Sequence, residues 1–537
     1  MHRPGQVHRG PLRSRARTVA AAVALGVLVA LTTAGPAAAG RGGSPAPVVA
    51  TSSGTVRGQV HDGAEEFLGI PYAAPPVGDR RFRAPRPHAR WSGVREATTQ
   101  GPACVQFAAF GIDPAQPRSE DCLNLDVYRP RGTRPGAVLP VVLWIHGGGF
   151  VQGTGTQFAG RAMADDYNVI IVSINYRLGA LGYLGLPGFD AETPEGSGNW
   201  GLLDQIAALR WIKDNAKAFG GNPRNVTVTG QSAGSGSVCG ILASPLASGL
   251  AAKAVLQSGP CTLLAARSRA DAQAQGTAFA TGLGCPDPAT AAACLRAVPA
   301  AALTAAGMQL PVPGLTSGVP ALPVDPAAAI GSGHWNKMPV LIGSTRSEGR
   351  MFALDQVAMT PDQYPAYLAR QYGPLAPEVL ARYPLSAYAS PYHAVSAIVG
   401  DASFICQTSV TAELLRRQVP TYRYEFDDPE SPPLVGLDLP GLDMGNAHSA
   451  ELAYLFDFTM QARPFTAQQA AMADRMKHAW AAFAWTSTPN AWGLTLWPPL
   501  TARGEVLKFR PAGDIRFRSF DDEHHCGFWN SSAAPGR

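Results

Sequence analysis

One stretch of the chain, residues 219–234, constrains the fold more than any other and reads Phe-Gly-Gly-Asn-Pro-Arg-Asn-Val-Thr-Val-Thr-Gly-Gln-Ser-Ala-Gly. Its β-branched run at 226–229 predicts a buried strand, and the small residues of 235–242, with no proline among them, favour a helix. A Gly-x-Ser-x-Gly turn centred on Ser232 joins the two. A strand, a sharp glycine turn and a helix are the context in which this motif presents a reactive serine.

Two further regions supply what such a serine needs. The apolar run 139–145 predicts a second strand, which leads directly into three glycines at 147–149. Consecutive glycines after a strand allow backbone N–H groups to face a ligand, as in an oxyanion hole. Downstream, a polar loop with Glu348 follows the strand predicted at 339–343, and a glycine-led loop carries His448. The chain therefore presents a serine, an acid and a histidine, in that order.

Four segments together resemble the type-B carboxylesterase/lipase family, which also contains the cholinesterases. Segment 219–234 is similar to the serine signature of the family, and 120–127 is similar to its cysteine-bearing signature. Segments 175–182 and 198–205 resemble two other family segments, and the likeness extends from about residue 48 to residue 530. The resemblance implies an α/β-hydrolase fold, with a mostly parallel central sheet, helices on both faces and large insertions over the site.

The resemblance also implies a role for each candidate site residue. Ser232 is expected to attack an ester carbonyl, and His448 to take its proton and later donate it to the leaving alcohol. Glu348 is expected to hold the imidazole in the required tautomer, and the order Ser, Glu, His is the one that this fold uses. The oxyanion donors of the family match three backbone N–H groups, those of Gly148, Gly149 and Ala233.

Several other histidines compete with His448, and each is expected to be structural. They lie before the nucleophile or the acid (His146, His334), in helical patterns (His393, His478) or near the C-terminus (His524, His525). The cysteines lack paired ligand spacing and the only adjacent histidines are at 524–525, so the sequence suggests no metal site. No cofactor is implied.

Gln231 departs from the cholinesterases, which carry a glutamate before the serine. The missing negative charge argues against a cationic substrate. Two nearby residues have two interpretations each. Ser258 either forms a hydrogen bond near the histidine, as in relatives, or is an ordinary core residue. Phe150 either lines the acyl pocket or belongs to the core.

Alternating strand and helix patterns predict a parallel sheet covered on both faces, independently of the resemblance. In such sheets, ligand sites lie beyond the carboxyl ends of the strands, and the three proposed site loops follow strands. We expect a hairpin at 48–59 on the edge of the sheet. The weakly periodic segment 268–326 is expected to be a helical insertion over the mouth of the site.

The eight cysteines fit an oxidising compartment, where disulfides persist. Their spacing does not determine the connectivity. The family resemblance implies three pairs, Cys104 with Cys122, Cys285 with Cys294, and Cys406 with Cys526. For Cys239 and Cys261 a fourth bridge and two buried free thiols remain open.

The first 39 residues have the pattern of a secretory signal peptide: five arginines and no acids, then the apolar stretch 19–34 and a small-residue cleavage site at 37–39. Removing residues 1–39 leaves 39 basic and 39 acidic residues, so no basic footprint for nucleic acid remains. We expect a mobile tail at 40–47 and a single catalytic domain at 48–537, with no later stretch that spans a membrane.

The sequence therefore predicts a secreted serine carboxylesterase that hydrolyses small-molecule carboxylic esters through a Ser-His-Glu triad and an acyl-enzyme. A lipase acting on long-chain esters is the alternative, since it differs in pocket and lid and not in chemistry. A non-catalytic, cholinesterase-like binding module is a remote alternative, because such relatives have usually lost a triad residue and this chain retains all three. The sequence does not specify the natural ester or the oligomeric state.

Overall fold

Eleven strands form the central sheet of the computed structural model, which describes residues 46–107, 115–308, 313–438, 442–458 and 461–531. In chain order they are β1 (Gln59–His61), β2 (Ala64–Pro71), β3 (Asn124–Pro130), β4 (Leu139–Ile145), β5 (Ile170–Ile174), β6 (Gly221–Gln231), β7 (Lys253–Gln257), β8 (Val340–Thr345), β9 (Thr421–Phe426), β10 (Val506–Phe509) and β11 (Ile515–Phe517). The leader predicted at 1–39, and nearly all of the tail predicted at 40–47, lie outside the described residues.

Seven neighbouring strands in the middle of this sheet run parallel. Their spatial order is β10-β9-β8-β7-β6-β4-β5. The strands at the two edges, β11 on one side and β3, β2 and β1 on the other, pair antiparallel. This mostly parallel sheet confirms the predicted fold class. The carboxyl ends of the parallel strands all point to one edge, where sites form in such sheets.

The sheet is buried on both faces, as β4 shows. Its odd-numbered residues Val141, Leu143 and Ile145 join the largest hydrophobic core, whereas Val142 and Trp144 join a second core on the opposite face. Successive side chains of a strand point to opposite faces, so a strand covered on both sides must be apolar throughout. This explains the unbroken apolar run of 139–145 in the sequence.

Twelve helices of seven or more residues occur within the described part of the chain. They are α1 (Arg161–Tyr167), α2 (Trp200–Asn215), α3 (Ala233–Ala243), α4 (Arg269–Gly282), α5 (Ala291–Ala297), α6 (Ala300–Gly307), α7 (Pro326–Ser332), α8 (Gln363–Tyr372), α9 (Ala376–Arg382), α10 (Pro391–Val399), α11 (Cys406–Arg416) and α12 (Ala467–Thr486). Helices α2 and α3 pack in the largest core, and α1 and α12 pack in the second core. Among the described residues, no helix has the length and apolar character needed to cross a bilayer.

The N-terminal hairpin differs from its prediction in one respect. Strands at Val48–Thr51 and Gly54–Arg57 pair antiparallel, as expected. They form a separate three-stranded sheet with Val94–Glu96 and do not extend the edge of the central sheet. The hairpin pattern in the sequence is local, whereas the strand that pairs with it lies almost 40 residues further on.

Four disulfides are present, and among the described residues no cysteine is free. Cys104–Cys122, Cys285–Cys294 and Cys406–Cys526 match the pairs that the family resemblance implied. Cys239 and Cys261, which the sequence left open, form the fourth bridge and attach α3 to the loop after β7. The Cys406–Cys526 bridge spans 120 residues and attaches the C-terminal segment to the start of α11.

A buried network of charges holds the same C-terminal segment. His524 lies between two carboxylates, with Nδ1 2.6 Å from Asp401 Oδ1 and Nε2 2.7 Å from Glu425 Oε1. Lys508 Nζ lies 2.8 Å from the other oxygen of Glu425 and 2.6 Å from Glu523 Oε2. Burial alone disfavours a charged imidazole, but the two flanking carboxylates outweigh it and raise the pKa of His524 to about 9. His524 therefore carries a positive charge at neutral pH and offsets the buried negative charges around it.

Replacing His524 by glutamine is expected to destabilise the protein in a pH-dependent way. A folded pKa of about 9, against the ordinary 6.5, means that the charged imidazole stabilises the fold fully below about pH 6.5. This contribution is lost as the pH rises through about 9. The free energy of unfolding of His524→Gln should be lower than that of the wild type by about 2–3 kcal/mol near pH 6. The difference should shrink near pH 10, as measured by urea denaturation.

His334→Gln is the matched control, because His334 is exposed. Within the described residues its side chain forms one hydrogen bond, with Ser332. It should leave stability unchanged at both pH values. A difference for His524→Gln that stays constant with pH would contradict the charged state assigned to this histidine.

Candidate active site

Ser232 occupies a strained turn between β6 and α3. Its backbone has φ +56° and ψ −124°, a conformation that residues other than glycine rarely adopt. Backbone segments meet so closely around this turn that the two flanking glycines have no room for a Cβ. A Cβ on Gly230 would lie 2.3 Å from the carbonyl carbon of Gly234, and one on Gly234 would lie 2.1 Å from Ile145 O. The glycines of the Gly-x-Ser-x-Gly motif are therefore steric requirements, and the turn holds Ser232 half-exposed at the carboxyl edge of the sheet.

His448 and Glu348 come from loops that follow β9 and β8. His448 Nδ1 lies 2.5 Å from Glu348 Oε2, and the other carboxylate oxygen of Glu348 accepts the N–H of Thr345 at 2.8 Å. Both side chains are buried. The two loops are also joined by their backbones, since the N–H of Ser347 donates to Asn446 O at 3.2 Å. The structure thus brings together the acid and the histidine, which are 100 residues apart in the chain.

The glycine loop after β4 lies beside Ser232. Gly148 and Gly149 have φ of +103° and +62°, and the Gly148 carbonyl accepts the N–H groups of Val151 and Gln152, both at 3.1 Å. Ala233 is the first residue of α3, so its N–H has no acceptor within the helix. The three predicted donors thus belong to a tight glycine loop and a helix start, the two kinds of backbone that offer N–H groups to an anion.

One cavity of about 430 Å³ connects these groups. Ser232, His448 and the glycine loop line it together with two further groups of residues. The polar ones are Gln152, Gln157, Gln231 and Ser449. The larger, apolar group is Val151, Phe158, Met351, Phe352, Leu354, Leu434, Leu437, Leu452 and Phe458. Among the described residues the lining contains no aspartate, glutamate, lysine or arginine. A cavity of this size and polarity is typical of a site for a small, mostly apolar molecule.

Comparison with known proteins shows the family. Residues 45–529 match the model of the carboxylesterase family. The chain belongs to the carboxylesterase family. It is therefore a type-B carboxylesterase, a serine hydrolase of carboxylic esters, as the sequence predicted.

Individual relatives support the family assignment. The esterase is 35% identical to a para-nitrobenzyl esterase of Bacillus subtilis, with 84% of this chain and 92% of the relative covered. It is 33% identical to a cocaine esterase of Oryctolagus cuniculus over 87% of this chain and 93% of that protein. The solved structure of a thermophilic para-nitrobenzyl esterase aligns with a TM-score of 0.76 at 31% identity, covering 90% of this chain and 99% of the other.

Two aromatic rings that the sequence analysis missed pack against His448. The Phe352 and Phe404 rings stack at 4.9 Å between centroids, and each lies 5.0 Å from the imidazole. Phe404 belongs to a π-helical turn, Gly400–Ile405, between α10 and α11. Phe352 is four residues after Glu348, a spacing that could have identified it, whereas no signal in the sequence connects Phe404 to the site.

Glu451 is a second carboxylate near His448 that the sequence did not reveal. It is fully buried, and Gln257 Nε2 lies 3.4 Å from its Oε1. Burial, together with the negative charge of Glu348, raises the pKa of Glu451 to about 7. The esterase therefore keeps a carboxyl group that is partly protonated at neutral pH beside its histidine and acid.

Four of the competing histidines have contacts that account for them. His146 stacks on Tyr176, and burial lowers its pKa to about 4, so it is neutral although it lines the same cavity. His393 contacts Ser390, and His478 stacks on Tyr167. His524 belongs to the buried charge network described above. None of these four histidines lies against Glu348, whereas His448 does.

One expectation about the surroundings of the site is wrong, and one open question is resolved. The insertion at 268–326 forms helices α4 to α6, but none of its described residues lines the cavity. Residues from the segments 351–354 and 434–437 are among those that do. Phe150 is buried against Tyr183, with ring centroids 5.0 Å apart, and is not part of the lining. It is therefore a core residue.

The second open question from the sequence concerned Ser258. Its hydroxyl is fully buried and has no hydrogen-bond partner among the described residues. The hydrogen bond near the histidine is thus not formed, and Ser258 belongs to the protein core.

Gly234→Ala is expected to prevent formation of the elbow. The added methyl carbon would lie 2.1 Å from the carbonyl oxygen of Ile145, which is fixed in the central sheet. The free energy of unfolding should fall by about 3 kcal/mol or more, with loss of esterase activity. Thermal unfolding followed by circular dichroism, together with an esterase assay, measures both effects.

Gly282→Ala is the control within another helix, because a Cβ on Gly282 at the end of α4 meets no atom within 4 Å. This variant should be as stable as the wild type or slightly more so, by about 0.5–1 kcal/mol. A Gly234→Ala protein that is equally stable and fully active would contradict the close approach of the two backbones.

Proposed function

We propose that this esterase is a secreted carboxylesterase whose triad is Ser232, His448 and Glu348. The observation that carries the proposal is the short contact between His448 Nδ1 and Glu348 Oε2, at 2.5 Å, in a cavity that Ser232 also lines. A histidine held by a buried carboxylate on Nδ1 keeps its proton there and presents the lone pair of Nε2 to the site.

The proposed reaction proceeds in two halves. Ser232 Oγ attacks the ester carbonyl and transfers its proton to His448 Nε2, while the carbonyl oxygen becomes an oxyanion. The oxyanion accepts hydrogen bonds from the N–H groups of Gly148, Gly149 and Ala233. Collapse of the tetrahedral intermediate breaks the ester C–O bond, and the alcohol leaves with the proton from His448, so that the acyl group remains on Ser232.

Water then hydrolyses the acyl-enzyme. His448 takes a proton from the water, whose oxygen attacks the acyl carbon and forms a second oxyanion in the same hole. When this intermediate collapses, the bond to Ser232 Oγ breaks, the serine regains its proton and the carboxylic acid leaves. Glu348 stabilises the imidazolium in both halves without taking the proton.

The cavity supports neutral esters as substrates. Its described lining has no charged side chain besides the ionisable histidines, and Gln231 stands where a carboxylate would attract a cation. Two relatives are named as esterases of cocaine and of a para-nitrobenzyl group. We infer that esters with a neutral aromatic alcohol or acid part fit this site, and that acyl chains much longer than the cavity are hydrolysed more slowly.

Secretion is part of the proposal. The four disulfides fit an oxidising compartment. Residues 1–39 have the composition of a signal peptide, and the proposed mature protein is the single domain at 48–537 that follows the short tail 40–47. The test is to express the full chain in a host that recognises the leader 1–39 and exports the protein. N-terminal sequencing of the exported protein then shows whether cleavage occurs after residue 39.

Turnover of p-nitrophenyl esters from acetyl to palmitoyl tests the proposed activity. Ser232→Ala should lower kcat by about 10⁴-fold or more on every ester, because the nucleophile is absent. The optimum should lie at short to medium acyl chains, because a cavity of about 430 Å³ is of the size that holds a small molecule. An optimum at palmitoyl would replace this proposal by the lipase alternative.

Ser258→Ala is the matched control. It removes a hydroxyl that is buried next to the elbow strand and has no partner in the described residues, so kcat should stay within about threefold of the wild type. Equal activity of wild type and Ser232→Ala would exclude Ser232 as the nucleophile. A folded wild type that hydrolyses none of these esters would favour a narrow substrate range or a binding role.

A further inference from the structure

Gln231, the residue before the proposed nucleophile, contacts the catalytic histidine directly. Its side chain is buried, and its Nε2 lies 3.1 Å from His448 Nε2. The carbonyl oxygen of the side chain points elsewhere, toward Gly147, where a Cβ would lie 2.9 Å from it. The amide nitrogen of Gln231 therefore faces the imidazole.

The chemistry of the two groups fixes the direction of this hydrogen bond. His448 Nδ1 faces Glu348 at 2.5 Å, so a neutral imidazole carries its proton on Nδ1 and a lone pair on Nε2. A carboxamide nitrogen can only donate. The N–H of Gln231 therefore donates to the lone pair that the reaction needs. Among the described residues, no hydrogen bond joins the Ser232 hydroxyl to this histidine.

We propose that Gln231 is a positioning residue, which holds the neutral imidazole of His448 at Nε2 in the resting site and releases it to Ser232 during the reaction. The proposal rests on the assignment of the Ser232–His448–Glu348 triad. The proposal gives a role to the glutamine that replaces the glutamate of cholinesterases at position 231. A glutamate there would accept a hydrogen bond from the imidazolium, whereas glutamine donates to the neutral ring.

A donor at Nε2 also opposes protonation of the ring. When His448 takes a proton on Nε2, two N–H groups face each other, so the Gln231 amide must move away. The charged groups near the imidazole are Glu348, which lies against Nδ1, and Glu451, which is buried nearby. Both are present in every variant at position 231, so Gln231→Met removes the donor without adding a charge, whereas Gln231→Glu also adds a negative charge.

The pH dependence of kcat/KM for p-nitrophenyl butyrate tests the proposal in the wild type, Gln231→Met and Gln231→Glu. Methionine has a similar length without a donor, and glutamate replaces the donor by an acceptor. The midpoint of the acid limb should be lowest in the wild type, higher in Gln231→Met, and highest in Gln231→Glu, which should exceed the wild type by about one pH unit or more. A residue with only a structural role would change kcat at every pH and leave the midpoint in place.

A second measurement does not depend on turnover. In a Ser232→Ala background, the imidazole N–H proton of His448 can be followed by proton NMR as the pH changes, alone and combined with each substitution at 231. The titration midpoints should rise in the order Gln, Met, Glu. Equal midpoints in all three proteins would overturn the role of Gln231, whether or not the Met and Glu variants are active.

The two measurements separate this proposal from the proposed function. If the NMR midpoints rise as expected but Ser232→Ala keeps full activity, the triad is wrong and the Gln231 contact stands. If Ser232→Ala is inactive and the midpoints do not differ, the triad stands and the role of Gln231 is wrong.

Discussion

The site depends on the close approach of two backbones at the carboxyl ends of β4 and β6. Gly234 lies so near to Ile145 that no side chain fits between them, and the chain turns sharply at Ser232, just before this contact. The turn holds Ser232 in a strained conformation, which the parallel pairing of β6 with β4 and β7 on either side can sustain. The same approach places the glycine loop that follows β4 beside the serine. One close contact in the sheet thus positions both the proposed nucleophile and the proposed oxyanion donors.

The histidine is positioned differently, by a loop fastened at several points. Its ring is held by Glu348 on one side, by Gln231 on another and by the Phe352 and Phe404 rings. Backbone contact between Ser347 and Asn446 ties the acid loop to the histidine loop. The imidazole is buried, and low exposure to water strengthens its interaction with Glu348.

Much of this arrangement could be predicted from the sequence, because its signals are local. The strand, the glycine turn and the helix around Ser232 occur within about 25 residues, and the strand at 139–145 matches β4 at both ends. Glu348 and His448 were found as polar loop residues that come after the serine in the chain, and the family resemblance implied their roles. The rest depends on contacts between distant segments. Phe404 reaches His448 only through a π-helical turn, and the pKa of Glu451 is raised because the fold buries this carboxyl and places Glu348 near it. The weak periodicity of 268–326 predicted helices correctly but carried no information about where they pack.

The most direct test of the central claim is covalent labelling with a neutral fluorophosphonate, which reacts with the activated serine of serine hydrolases. After reduction and trypsin digestion, Ser232 lies in the peptide 225–253, together with four other serines. One label per chain is expected, on Ser232, and labelling should be much slower in His448→Gln. A label on another serine, or an active protein that takes up no label, would contradict it.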